Sequence, residues 1–66
     1  MTTPETIVRC VKADMGGNLE AGADYCERVS RNAMLNPWAD PADAISYAEA
    51  ARRLRHDAEV AAKEDA

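Results

Sequence analysis

The segment Asp40–Ala66, DPADAISYAEAARRLRHDAEVAAKEDA, decides how this chain folds. After Pro41 it contains neither Gly nor Pro, and Ala, Arg, Glu and Leu, all good helix formers, make up much of it. Asp40 is placed to cap a helix, and Pro41 suits the first helical position, where no N–H is needed. The expectation is one long helix over residues 41–63. Tyr47, Ala51, Leu54, Ala58 and Ala61 recur at helical spacing as its inward stripe, bordered by Ala44 and Ala62. Glu49 to Arg53, Arg55 to Glu59 and Glu59 to Lys63 are four-apart pairs that lace the outer surface. The tail Lys63-Glu64-Asp65-Ala66 is expected to fray, because acids sit at the negative end of the helix dipole. A stripe made mostly of alanine packs closely but buries little, so the helix must lean on other elements or on a partner.

Upstream, Thr3-Pro4-Glu5 is a second helix start, with Thr3 as cap and Glu5 at the positive end of the dipole. Ile7, Cys10, Val11 and Met15 share a face, Val8 borders it, and Arg9 and Lys12 point away. Thr6 to Val11 is rich in β-branched residues and could alternatively be a short strand, but no second strand follows for it to pair with. Gly16-Gly17 ends this element, giving a helix over residues 4–15. Asn18 then caps a helix over residues 18–35 that stops before Asn36-Pro37. Leu19, Ala23, Cys26, Val29, Ser30, Ala33 and Met34 form its inward face. Glu20, Asp24, Glu27, Arg28 and Arg31 form the other, with Asp24 to Arg28 and Glu27 to Arg31 as four-apart pairs. Gly22 weakens this helix but permits the close approach of a neighbour. The expected fold is therefore all-α: a small three-helix domain, a helical hairpin plus a long C-terminal helix, in one unit spanning residues 1–66.

At 66 residues, such a domain is marginal without staples or partners. There is no Phe, and much of the 47% hydrophobic fraction is alanine. The net charge of −4 argues against direct nucleic-acid binding and against a membrane-surface binder. No apolar run approaches the ~20 residues of a membrane span, and Met1-Thr2-Thr3-Pro4-Glu5 lacks the features of a secretion signal. A cytoplasmic protein with reduced Cys10 and Cys26 is the expectation. Both cysteines fall on inward faces, where thiols act as small hydrophobes; a disulfide would require an oxidising compartment.

Several side chains could carry function. Ile45, Glu49, Arg52, His56 and Val60 form a second stripe on the long helix, opposite Tyr47 and Leu54. It is a candidate protein-binding or dimer face, with apolar ends around Arg52 and His56. Single exposed apolar residues are also ordinary on protein surfaces. Trp38 lies in the stiff Asn36-Pro37-Trp38-Ala39-Asp40-Pro41 connection and belongs to the residue type richest in binding hot spots. As the largest apolar side chain, it is nonetheless expected to fold back over the small core.

Chemistry is not signalled. Cys10, Cys26, Asp14 and His56 lack the close spacing of a zinc site, and no cofactor motif is present. His56, the single histidine, sits among arginines, and Asp57 points to a different face. There is no nucleophile–base pairing, glycine-rich phosphate loop or paired-carboxylate motif. A chain this short also struggles to form a substrate-sized pocket. The expectation is that the protein is not an enzyme.

Ser46-Tyr47-Ala48-Glu49-Ala50-Ala51-Arg52-Arg53-Leu54 resembles the first helix of helix-turn-helix domains, which implies contact with DNA. The turn and recognition helix of those domains do not follow, since His56-Asp57-Ala58-Glu59 continues the same helix. The small, acidic, motif-free character of the whole chain is similar to that of mobile-element inhibitors of host defence, anti-CRISPR proteins among them. The expected function is a non-enzymatic protein-binding module acting by steric occlusion or scaffolding through the long helix and the Trp38 loop, and such an inhibitor is one form of it. Two alternatives stand beside it. One is a self-assembling structural homo-oligomer, minimally a homodimer, whose own copies cover Ile45 and Val60. The other is an acidic nucleic-acid mimic, in which Glu20, Asp24 and Glu27 imitate phosphates in a basic groove.

Overall fold

The computed structural model describes residues 3–64. It contains three α-helices, α1 (Pro4–Asp14), α2 (Leu19–Leu35) and α3 (Pro41–Glu64), and no strand among the described residues. The chain is a small all-α three-helix domain.

Each helix starts where its capping residue stands. The Thr3 hydroxyl accepts the Thr6 N–H at 3.3 Å, and Asn18 Oδ1 accepts the Ala21 N–H at 3.1 Å. Asp40 Oδ1 accepts the Ala42 N–H at 2.9 Å, immediately after Pro41 opens α3. Each bond satisfies one of the first-turn N–H groups that a helix leaves unpaired. Thr6–Val11 is helical throughout, because helix packing outweighs the β preference of its side chains. The turn after α1 runs through Gly16 and Gly17 at φ 59° and 90°, which side chains with a Cβ rarely adopt.

The core consists of Ile7, Val11, Ala23, Cys26, Ala50, Ala51 and Leu54, with Val8, Met15, Leu19 and Tyr47 packed at its edge. The principal pair is α2 with α3; α1 lies mainly against α3 and touches α2 only slightly. Small residues at the centre let the helices approach closely. A Cβ on Gly22 would stand 2.7 Å from Val11 Cγ1 and 3.5 Å from Leu54 Cδ1, so this is the point where the three helices meet. Ser30, buried on α2, donates its hydroxyl to the Ala44 carbonyl at 2.7 Å and ties the end of α2 to the start of α3.

Four details of the expected inward faces are corrected. Cys10 is exposed while Cys26 is buried, because α1 has its main cover from α3 alone and only the line through Ile7 and Val11 is sealed. Met34 is exposed at the end of α2. Ala61 and Ala62 are exposed, because every described residue of α3 from Glu59 onward lies beyond the cover of the other helices. Ala50, absent from the expected stripe, is fully buried. The fraying expected at the tail falls partly on residues 65–66, outside the described residues.

Ion pairs also differ from the four-apart pattern. Glu49 holds Arg53 at 3.8 Å as expected, and also Arg52 at 3.9 Å. Arg55 instead crosses to α2, standing 2.7 Å from Glu27 and 3.4 Å from Asp24. Lys12, expected to point away, reaches Asp57 at 2.9 Å and links α1 to α3. A long side chain reaches a carboxylate on the neighbouring helix as readily as one on its own turn.

Candidate interaction surface

The connection between α2 and α3 is short and strongly braced. The Asn36 side-chain oxygen accepts the Trp38 N–H at 3.0 Å, and the Asn36 carbonyl accepts the Ala39 N–H at 3.1 Å. Pro37 and Pro41 restrict the backbone on either side. This brace holds Trp38 outward, with 93% of its surface exposed. The expected fold-back of Trp38 over the core does not occur. The local hydrogen bonds set the direction of the turn, and Ala44 and Ser30 already seal the core beneath it.

Trp38 has apolar company. Met34 is 74% exposed, Leu35 77% and Ile45 68%. Met34 and Ile45 both line a groove of about 410 Å³, with Asn36, Pro37, Pro41 and Ala44 also on its walls. One corner of the molecule therefore presents four large exposed apolar side chains, whereas among the described residues Ile7, Val11 and Leu54 are the only large aliphatic side chains sealed in the core. Met34 and Leu35 were not recognised as part of this surface from the sequence. The available signal was their position in the last turn of α2, where the next helix has not yet begun to cover them.

The remaining residues of the α3 stripe lie elsewhere. Glu49 is half-buried and engaged by Arg52 and Arg53. Arg52 and His56, both exposed, line a groove of about 550 Å³ between α1 and α3 whose other walls include Val8, Arg9 and Glu5. Val60 is 41% exposed on the uncovered end of α3. Fifteen residues at 1.5 Å each place it about 22 Å along the helix from Ile45. The stripe thus divides into a corner with Trp38 and Ile45, a charged groove with Arg52 and His56, and an isolated Val60.

The acid row on α2 is not a row of free carboxylates, since Asp24 and Glu27 both face Arg55. Among the described residues no three His, Cys, Asp or Glu side chains converge as metal ligands. No described helix is long and apolar enough to cross a membrane. Burial raises the Cys26 thiol above its ordinary pKa. Tyr47 is raised by burial first, and then by the neighbouring Tyr25, Cys26, Asp43 and Cys10. Neither shift prepares a nucleophile, because each favours the neutral form.

The fold and surface define a class, a small three-helix domain with one exposed apolar corner. Comparison with known protein families, with curated proteins and with solved structures finds no match to this chain.

Proposed function

We propose that this chain is a small non-enzymatic protein-binding module whose docking surface is the α2–α3 corner. The observation that carries the reading is the 93% exposure of Trp38 on a braced turn, beside exposed Met34, Leu35 and Ile45. Exposed apolar clusters on small domains mark interaction sites, and a rigid anchor loses little freedom on binding. A rigid body of 7.2 kDa acts by occupying a partner's surface or by bridging, which is occlusion or scaffolding. An inhibitor of a host defence machine, in the manner of anti-CRISPR proteins, is the form of occlusion that the small acidic chain suggests.

Arg52 and His56 would add polar contacts only to a partner large enough to reach from the corner to the α1–α3 groove. The engagement of Asp24 and Glu27 by Arg55 weighs against phosphate mimicry, which needs unpaired carboxylates. The test is capture of partners by tagged protein, followed by affinity measurement with variants. Ile45→Asp and Trp38→Ala are expected to lower affinity at least tenfold, within the range of hot-spot losses. Charge reversal at Glu20, Asp24 and Glu27 is expected to leave binding intact. The opposite pattern would overturn the corner reading in favour of mimicry.

A further inference from the structure

We infer that the occupant of the α2–α3 corner is a second copy of this chain, paired about a two-fold axis. This rests on the reading of the corner as a docking surface and names what docks there.

Three observations point to self-pairing. The first is charge. The chain carries a net −4, so two copies repel over most of their surfaces, yet residues 32–39 contain no charged side chain. Two acids adjoin this stretch, Asp40, whose carboxylate caps α3 through the Ala42 N–H, and half-buried Asp43; an axis through residues 32–39 brings uncharged side chains, and not these acids, against their own copies.

The second is shape. A projecting indole, Trp38, directly follows Pro37 on the rim of the apolar groove formed with Met34, Pro41, Ala44 and Ile45. A knob and a hollow on one patch make it self-complementary, since each copy's Trp38 can enter the other's groove while offering its own. The groove, at about 410 Å³, has room for a side chain of this size.

The third is area. Trp38 offers on the order of 200 Å². Met34, Leu35 and Ile45 add about 100 Å² each, a typical value for a buried aliphatic side chain. A symmetric pair therefore buries about 1,000 Å² in all, enough for a specific association but below the ~1,600 Å² of a standard interface. An interface of this size falls in the weak, transient class.

The single tryptophan makes the test direct, because Trp38 is both anchor and reporter. Sedimentation equilibrium and Trp38 fluorescence are measured on the 66-residue chain from about 1 µM to 1 mM, a range that covers weak association. The mass is expected to rise from 7.2 kDa toward twice that value, with a blue shift of Trp38 emission over the same concentrations. Ile45→Asp, whose helical circular dichroism should be unchanged, is expected to weaken pairing by at least about tenfold, since the symmetric contact buries the new charge twice.

A constant monomer mass with unshifted emission overturns the inference. A dimer whose Trp38 emission does not shift also overturns it, because the contact would then lie elsewhere. A photoreactive group at position 35, which leaves Trp38 in place, is activated in native extract and separates this failure from failure of the docking reading. A monomeric chain that crosslinks to one other protein retains the docking surface and removes only the second copy. A monomer with no adduct removes both.

Discussion

The Ser30 hydroxyl donates to the Ala44 carbonyl at 2.7 Å, inside the seam between α2 and α3. That carbonyl lies in the first turn of α3, so the bond sets how far the end of α2 stands from the start of its neighbour. It therefore underlies the corner that carries Trp38 and Ile45. Ser30→Ala removes a buried hydrogen bond worth about 1 kcal/mol. At 4–8 °C per kcal/mol for a domain near this size, thermal unfolding should fall by roughly that interval. An unchanged melting temperature would show that the seam is held by packing alone.

Gly22 and Val11 test the helix crossing. In an exposed helix Gly→Ala gains about 1 kcal/mol. Here the added methyl would meet Val11 Cγ1 at 2.7 Å, and Val11 is a buried β-branched side chain, stiff at χ1. Overpacking of about 1–3 kcal/mol should outweigh the helical gain, so Gly22→Ala is expected to destabilise. In the double variant Gly22→Ala/Val11→Ala the clash is gone, and chemical denaturation should reveal coupling of 0.5 kcal/mol or more, the typical range for touching residues. Additive effects would place the crossing elsewhere.

The two thiols should behave as opposites. Exposed Cys10 is expected to react with an alkylating reagent at the rate of a free thiol, whereas Cys26 should react only through unfolding. Mass spectrometry of a timed reaction would show one fast adduct and one slow one. Equal rates would mean that Cys26 is not sealed.

Cys26 and Tyr47 also impose an alkaline limit. Burial raises Cys26 from its ordinary value of 9.0, and burial with nearby negative groups raises Tyr47 from 10.0. In each case the unfolded chain releases its proton first, so it binds fewer protons than the native state above the ordinary value. Stability is then fully present below pH 9.0 and declines from there through 10.0 toward the higher folded values. Melting temperatures from neutral pH upward should show the decline, and Cys26→Ala should delay its onset to the tyrosine range.

The corner should be separable from the fold. Trp38, Leu35 and Ile45 are largely exposed, so Trp38→Ala, Leu35→Ser and Ile45→Asp are each expected to change stability by no more than about 0.5 kcal/mol. Denaturant midpoints at concentrations where the chain is monomeric check this directly. A large loss of stability in any of them would identify that side chain as part of the core and not of an interaction surface.

The helical class of the chain was written in short-range signals. Thr3, Asn18 and Asp40 cap, Pro4 and Pro41 open, and Gly16-Gly17 and Asn36-Pro37 close, each acting on its own few residues. The lines Ile7–Val11, Ala23–Cys26–Ser30 and Ala51–Leu54 were equally readable, because helical periodicity alone selects a face. The exposure of Ile45 belongs to the same level, since it lies across the helix from Leu54.

What the tertiary structure alone decided was how much of each face is covered. Periodicity gives a direction around a helix but not the point along it where a neighbour begins or ends. Cys10, Met34 and Ala61 have inward-facing periodicity, yet each lies beyond a neighbour's cover. The partner of Arg55 was likewise open, because the choice between Glu59 on its own helix and Glu27 across the seam depends on how α2 is set against α3. Trp38 is the clearest case. Sequence determined a large apolar side chain on a stiff turn. Only the three-dimensional arrangement, with Asn36 holding the turn and Ser30 and Ala44 already closing the core, directed it into solvent.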